Sequence, residues 1–271
     1  MNPQFVTLVK RELWEHRSLW IAPLVVAGIF IILSILGAIA AGAHFDNVSF
    51  GPGRMGGFGR GEDNPVLVGI FALAGPLFLV STITIVVYLL DCLYSERKDR
   101  SILFWKSLPV SDAHTVLSKF TVGMVIVPAA VYVLTLVCHA FLAAVMSLGI
   151  PGFGKLMGVG PGDWIHAQGS FLGMLVACLL WYAPLGAWYM LASVIARRAP
   201  ILWASLPIVA LGVIESIFFR TKHVWTLVGH RFQPQDEFLQ AIARPDLWLG
   251  LVAAAGILYM VIRLRRYRDD T

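Results

Sequence analysis

The residues of this chain that could do chemistry are few, and the densest group is a run of alternating charges. Glu96-Arg97-Lys98-Asp99-Arg100 leads directly into the apolar run Ile102-Leu103-Phe104-Trp105. Exposed aromatic rings beside a charge cluster favour a contact site for a protein partner. Alternatively, Phe104 and Trp105 dip into a membrane surface, as interfacial aromatic residues often do. The spacing of the residues favours neither reading over the other.

No catalytic or nucleotide-binding motif accompanies this charged run. The sequence lacks G-x-x-x-x-G-K-[ST], HExxH and a nucleophile elbow. A G-x-G-x-x-G match at residues 51–56 has no strand before it and no helix after it, so we discard it. Cys92, Cys138 and Cys178 lack CxxC spacing and indicate neither a metal site nor a disulfide framework. The sequence therefore predicts a protein that is not an enzyme by itself and holds no cofactor or metal.

Long apolar runs in the sequence predict the helices that must position the charged and aromatic residues named above. Hydrophobic residues make up 58% of the 271 and charged residues only 14%, against about 45–50% and 25% in soluble domains. Six runs are long enough to cross ~30 Å of hydrocarbon as helices. We therefore predict an all-α membrane protein whose transmembrane domain covers residues 19–262. The predicted spans are residues 19–42, 66–90, 120–148, 171–196, 201–219 and 247–262.

The distribution of basic residues predicts the orientation of the spans. The N-terminal segment, the second and fourth connections and the tail 263–271 together carry 14 of the 21 Lys and Arg residues. By the positive-inside rule this side is the cytoplasm, so both termini are predicted to be cytoplasmic. The pI near 9.3 then reflects membrane topology, and it gives no reason to expect a nucleic-acid partner.

Three short helices are predicted outside the spans. Residues 1–18 form an amphipathic helix with Pro3 at its first position, which we expect to lie along the inner leaflet. The alternative is a cytoplasmic extension of the first span. Residues 96–111 form a short cytoplasmic helix, after which Ser111 caps the next span. Residues 234–243 start with acidic groups and are predicted to form a helix on the outer surface.

The second connection resembles that of the permease subunits of type-2 ABC exporters. The pattern of that family is approximately E-R-x-x-G-T-(apolar)-x-x-L-x-x-x-P-(V/I)-S. Here the chain reads Glu96-Arg97-Lys98-Asp99-Arg100-Ser101-Ile102 and then Leu108-Pro109-Val110-Ser111. Arg100 replaces the usual Gly and Ser101 replaces Thr. The layout of an N-terminal amphipathic helix, six spans and a structured outer connection before the last span is similar as well.

This resemblance implies that residues 96–111 are a coupling helix, which docks on a separate ATPase and transmits its closure. It implies the permease half of an ATP-driven exporter of a hydrophobic, amphipathic, peptide-like or lipid-like substrate, in a bacterial inner (cytoplasmic) membrane. The partners would be a dimer of cytoplasmic ABC ATPases, which bind ATP and Mg, and a second, identical or similar permease. A self-sufficient secondary transporter or channel is the alternative, and a membrane-embedded enzyme ranks below both. The implied ATPase-coupling residues are Glu96, Arg97, Asp99, Arg100, Phe104 and Trp105.

Polar and aromatic residues inside the spans are candidates for a substrate path. An ionisable group at membrane depth, such as Glu215 or His139, is a functional candidate by default. The structural alternative is that Glu215 pairs with Arg220 and that His139 bonds a neighbouring carbonyl. Four rings near the middle of the fourth span either line the path or fill gaps between helices. These rings are Trp181, Tyr182, Trp188 and Tyr189.

Small residues on the first span predict where a second copy packs. Ser34, Ala38 and Gly42 recur every four residues, and such a ladder permits close contact between helices in lipid. Because the resembled family works as a two-fold assembly, we predict that these three residues lie in a dimer contact. Membrane lipid would cover the remaining apolar surface.

Overall fold

The fold is helical throughout the part of the chain that the computed structural model describes. This part comprises residues 3–44, 65–102, 110–149, 161–231 and 242–267, and every regular element in it is a helix. Six segments are long and apolar enough to cross a membrane, so the prediction of an all-α, multi-pass membrane protein is confirmed at this level. The six segments are Ser18–Ile39, Ala74–Lys98, Asp112–Val145, Trp164–Ile195, Pro200–Phe219 and Pro245–Tyr267.

Proline begins five of the ten α-helices in the described part of the chain. Pro fits the first helical position because its missing N–H would have no partner there. A π-helical turn, Val122–Ile126, lies just before Pro128, whose missing N–H cannot close the regular bond to the Met124 carbonyl. The described α-helices are α1 (Pro3–Glu15), α2 (Ser18–His44), α3 (Pro65–Asp91), α4 (Tyr94–Lys98), α5 (Asp112–Thr121), α6 (Val127–Gly149), α7 (Pro161–Ile195), α8 (Pro200–Ile214), α9 (His223–Arg231) and α10 (Pro245–Tyr267).

The chain divides into two compact units. Unit 1 contains Met1–Arg17, Thr84–Ile126 and Met174–Thr271, and unit 2 contains Ser18–Ile83 and Val127–Gly173. Within unit 1, α5 packs against both α1 and α10. Within unit 2, α2 packs along α6. The elements that the sequence predicts to be cytoplasmic, α1 and α4, both belong to unit 1.

The fourth span begins earlier than predicted. The glycines between residues 149 and 170 favoured an irregular connection up to residue 171, but α7 already begins at Pro161. Gly162 and Gly169 are inside the helix, and a Cβ at either position would touch nothing within 4 Å. A continuous helix is favoured because each backbone polar group near the membrane must find a partner in its own segment.

The other predicted helices are found in part. The start of α1 at Pro3 is as predicted, although the residues it buries are Leu8 and Glu12. The apolar residues that fall on one face of this helix at helical spacing, Phe5, Val6, Val9 and Leu13, are only half-buried. The predicted helix 234–243 lies almost entirely outside the described residues. The same connection contains α9, for which the sequence pattern gave no prediction.

The small-residue ladder of the first span does not lie on an open surface. Ser34 and Ala38 are buried within the chain, with exposed fractions of 9% and 6%. Their own chain already covers most of both side chains, and the predicted dimer contact stays a prediction. The surroundings of Gly42 lie outside the described side chains. Small residues permit close helix contact, but their spacing does not specify whether the neighbour belongs to the same chain.

Candidate functional site: a buried charge cluster around Glu96

The candidate functional site is a set of ion pairs buried inside unit 1. Lys119 lies one turn before the π-helical turn and is 1% exposed, as is Glu12 on α1. Glu96 on α4 and Arg265 near the end of α10 are also buried. Four elements that are distant along the chain, α1, α4, α5 and α10, therefore each contribute a charge to one cluster.

The distances show how closely these charges are matched. The Lys119 ammonium lies 2.8 and 2.9 Å from the two carboxylate oxygens of Glu12 and 3.1 Å from Oε1 of Glu96. Arg265 bridges Oε2 of Glu96, at 3.2 Å, and Oδ1 of Asp112, at 2.6 Å. The Tyr88 hydroxyl donates to Glu12 at 3.1 Å. Each buried carboxylate thus has a cationic partner, which is the condition under which charges tolerate burial.

Two further contacts attach α4 to the end of α7. The Ser193 hydroxyl accepts hydrogen bonds from the backbone N–H groups of Leu93 and Tyr94, at 3.1 and 3.0 Å, where α4 begins. In the opposite direction, Arg97 donates to the carbonyls of Ser193 and Ala196, at 2.7 and 2.8 Å. The Ser193 carbonyl belongs to the last turn of α7 and the Ala196 carbonyl follows its last residue, where backbone acceptors have no helical partner. Each helix therefore caps the other.

These contacts change the role expected for two of the coupling residues. Glu96 was expected to present its charge to a partner protein, but it is only 6% exposed and is paired inside the chain. Arg97 is engaged with the end of α7. By contrast, Asp99 and Arg100 are exposed. Phe104 and Trp105 lie outside the described residues, so their contact role stays a prediction.

Arg100, two residues after the end of α4, has a left-handed backbone conformation. Its φ is +56°, in the left-handed region that disfavours every residue with a Cβ. Glycine adopts this conformation without strain. The Arg side chain at this position therefore leaves strain in the chain at the point where the segment leaves the cluster.

We expect Arg100→Gly to stabilise the protein by about 1 kcal/mol, because glycine removes the left-handed penalty. Thermal unfolding in detergent measures the change. Lys98→Gly is the matched control, since Lys98 is equally exposed but lies in α4 with ordinary helical geometry. It should cost about 0.5–1 kcal/mol. Destabilisation by both variants would contradict a left-handed backbone at Arg100.

His16 flanks the cluster on the side of α1. Its ring meets Tyr88 edge-on with centroids 4.8 Å apart. Burial lowers the pKa of His16, and the nearby Lys119 charge lowers it further, while Glu12 opposes both. Among the described residues, Glu12, Glu15 and His16 place ligand atoms within 4.8 Å of one another. We assign no metal there, because the Lys119 ammonium already binds the Glu12 carboxylate.

Trp181, a candidate for the substrate path, is an anchor for α9. Its indole N–H donates to the Arg231 carbonyl at 3.0 Å, and the Arg231 guanidinium lies 4.4 Å from the ring centroid. Burial lowers the pKa of Arg231. A Cβ at Gly250 would meet the end of that flexible side chain, which would have to shift. The ring therefore holds the end of α9 against the fourth span.

Of the other three aromatic rings, Trp188 and Tyr189 have contacts that indicate their role. Trp188 donates its indole N–H to the Ala204 carbonyl at 2.9 Å. Trp188 and Tyr189 both pack against a buried cluster of Leu90, Ala192 and Ala204. For Trp181, Trp188 and Tyr189 the structure favours gap filling between helices. A role in the path for Tyr182 stays a prediction.

Glu215, the acidic candidate for the path, caps a helix. Its carboxylate accepts from the Thr221 hydroxyl at 2.6 Å and from the backbone N–H groups of His223 and Val224, each at 2.7 Å. Such bonds satisfy the first amides of α9, which have no helical partners, and the negative charge suits the positive end of the helix. The structural alternative for Glu215 is supported, although its partners are these groups and not Arg220.

The buried cluster was missed because its members are far apart in sequence. Lys119 is 107 residues from Glu12, and Arg265 is 169 residues from Glu96. One signal was present, since Lys119 directly precedes the apolar run that begins at Phe120, where a charge needs a partner. The arrangement holds four helices of unit 1 together. Comparison with protein-family models, curated proteins and solved structures finds no match to this chain.

Proposed function

We propose that this chain is the permease subunit of an ATP-driven exporter. It would work with a second permease and with two separate ATPase subunits that bind ATP and Mg, so the chain itself is not an enzyme. The observation that supports this proposal is the buried cluster, which ties the start of the coupling-like segment to three other elements of unit 1. By the positive-inside rule the distribution of basic residues supports a cytoplasmic position for this segment and both termini, and the proposed location is a bacterial inner membrane.

In this proposal α4 transmits force and does not itself bind the ATPase. A push on residues 99–111 would pass through Glu96 to Lys119 on α5 and to Arg265 on α10. Separating such buried pairs leaves charges without partners, which costs several kcal/mol, so the elements would move together. Substrates would be hydrophobic, amphipathic, peptide-like or lipid-like molecules that leave the cytoplasm or the inner leaflet.

We prefer this function to a self-sufficient secondary transporter or channel. That alternative depends on ionisable groups along the spans, and Glu215 was its main support. The carboxylate of Glu215 is occupied by Thr221 and by the first amides of α9. An acid bound in this way does not suggest an ion or proton carrier.

The exposed part of the coupling-like segment provides the test. Asp99→Lys combined with Arg100→Glu preserves the net charge but reverses both exposed charges. If these residues meet an ATPase, its affinity for the permease should fall by roughly tenfold. Trp105→Ala should cost on the order of 2 kcal/mol if this ring is a buried anchor of the interface. Co-purification of the ATPase and substrate-stimulated ATP hydrolysis are measured at matched expression.

The matched control is Lys222→Glu, which changes an exposed charge on the connection between the fifth and sixth spans. It should leave the affinity for the ATPase unchanged. Thermal unfolding of each variant shows that the permease is folded before binding is compared. Normal ATPase binding and normal coupled hydrolysis in both the charge-reversed and the Trp105→Ala variants would refute the proposed function.

A further inference from the structure

The face of α1 that points away from the buried cluster is exposed. Leu8 and Glu12 are buried and share one face of this helix, because residues four apart lie one above the other. Lys10 and Trp14 are also four residues apart, and by helical spacing they lie on the opposite face. Lys10 is exposed, and the Trp14 side chain is 78% exposed. The exporter function proposed above gives this face no role.

Contacts along α5 show how far α1 reaches towards the membrane. The Phe5 and His114 ring centroids lie 6.5 Å apart, and one helical stretch further on Glu12 binds Lys119. Therefore α1 runs beside α5 in the same direction, towards the apolar run of the third span, which begins at residue 120. It also packs against the π-helical turn that follows α5. Trp14 comes two residues after Glu12 and so lies near the start of this run, at the boundary between lipid headgroups and hydrocarbon where tryptophan collects.

The basic residues around Trp14 have no acidic partner in the described part of the chain. Glu15, the exposed acid of α1, is bound by Arg11 through two contacts of 2.9 and 3.1 Å. Lys10 and Arg17 take part in none of the ion pairs that the described residues form. Arg17 is exposed and directly precedes the first span, which begins at residue 18. Two positive charges that no described residue neutralises therefore flank an exposed indole.

We propose that the surface formed by Lys10, Trp14 and Arg17 binds anionic phospholipids of the inner leaflet. The indole lies at the base of the headgroups, and the ammonium and guanidinium groups bind the lipid phosphates. A zwitterionic headgroup cancels the charge of its own phosphate, so two cations favour a lipid with a net negative charge. The apolar stripe expected to contact the leaflet is half-buried, and this face takes its place. The proposal goes beyond the exporter function, because it requires neither an ATPase nor a second copy.

Photocrosslinking from position 14 tests which lipid this surface binds. The full chain carries p-benzoylphenylalanine in place of Trp14 and is reconstituted in vesicles of equal parts phosphatidylglycerol and phosphatidylcholine with the same acyl chains. Mass spectrometry identifies the crosslinked lipid. Phosphatidylglycerol adducts should exceed phosphatidylcholine adducts by about fivefold or more, the factor that one basic residue supplies near an anionic surface. Lys10→Gln combined with Arg17→Gln should abolish this preference, and thermal unfolding in detergent should be unchanged because both positions are exposed.

The matched control carries the same photoprobe in place of Ile32, which is 58% exposed on the first span and has no charged residue within one helical turn. It should crosslink the two lipids equally, with or without the Lys10→Gln and Arg17→Gln changes. Equal crosslinking of both lipids from position 14, or a preference that survives the loss of both cations, would overturn the proposal. Crosslinking from position 14 mainly to the ATPase, when that subunit is bound to the vesicles, would identify a protein contact and would overturn it as well.

Discussion

A Lys119→Met variant is expected to lose about 3–5 kcal/mol of folding free energy, the cost of removing one member of a buried ion pair. Lys119 is the cation shared by Glu12 and Glu96, and its side chain is 1% exposed. Without it, Glu12 keeps the Tyr88 hydroxyl and Glu96 keeps Arg265. The midpoint of thermal unfolding in a fixed detergent should fall by roughly 10 °C.

A matched double variant distinguishes the free-energy cost of an unpaired buried charge from the cost of the changed side-chain volume. Glu12→Leu combined with Lys119→Met replaces both members of the closest pair by apolar side chains, which is often neutral or stabilising. We expect the double variant to recover most of the loss, since Glu96 remains paired with Arg265. Lys10→Met, at an exposed position on α1, should leave the unfolding midpoint unchanged. A single Lys119→Met variant as stable as the unaltered protein would contradict the buried cluster.

Trp181→Ala should destabilise unit 1 by about 3–5 kcal/mol, the usual cost of truncating a large buried ring. The ring is 1% exposed, and it binds the Arg231 carbonyl through its N–H and the Arg231 guanidinium through its face. Its loss should also release α9, so the backbone amides of residues 223–231 should exchange hydrogen faster. Thermal unfolding and hydrogen exchange measure the two effects separately.

Trp181→Phe is the control for this prediction. Phenylalanine keeps a ring of intermediate volume but cannot donate the indole N–H, so the lost hydrogen bond should cost about 1 kcal/mol. A residue that merely lined a substrate path would respond differently: Trp181→Ala would then alter substrate stimulation and leave both unfolding and hydrogen exchange unchanged. That pattern would restore the path assignment and argue against the anchor.

The sequence by itself determined the class of the protein and the number of its spans. In lipid each spanning segment must satisfy its own backbone polar groups, so a long apolar run specifies a helix almost without reference to its neighbours. Local chemistry likewise predicted the start of α1 at Pro3 and the cap at Ser111, whose hydroxyl accepts from the His114 N–H. Both are decided within one helical turn, and so short-range patterns suffice.

Only the tertiary structure decided which charges and small residues are covered. A pattern shows which face of a helix Glu96 or Ala38 occupies, but not what lies against that face. From the sequence alone, Glu96 would be assigned to the surface. In the structure it is paired with Lys119 and Arg265, which come from other parts of the chain. The spacing of the ladder at Ser34 likewise does not show that its own chain buries Ser34 and Ala38. Whether a side chain is buried depends on the residues that pack against it. Residues that are a hundred positions away leave no periodic signal in the local sequence.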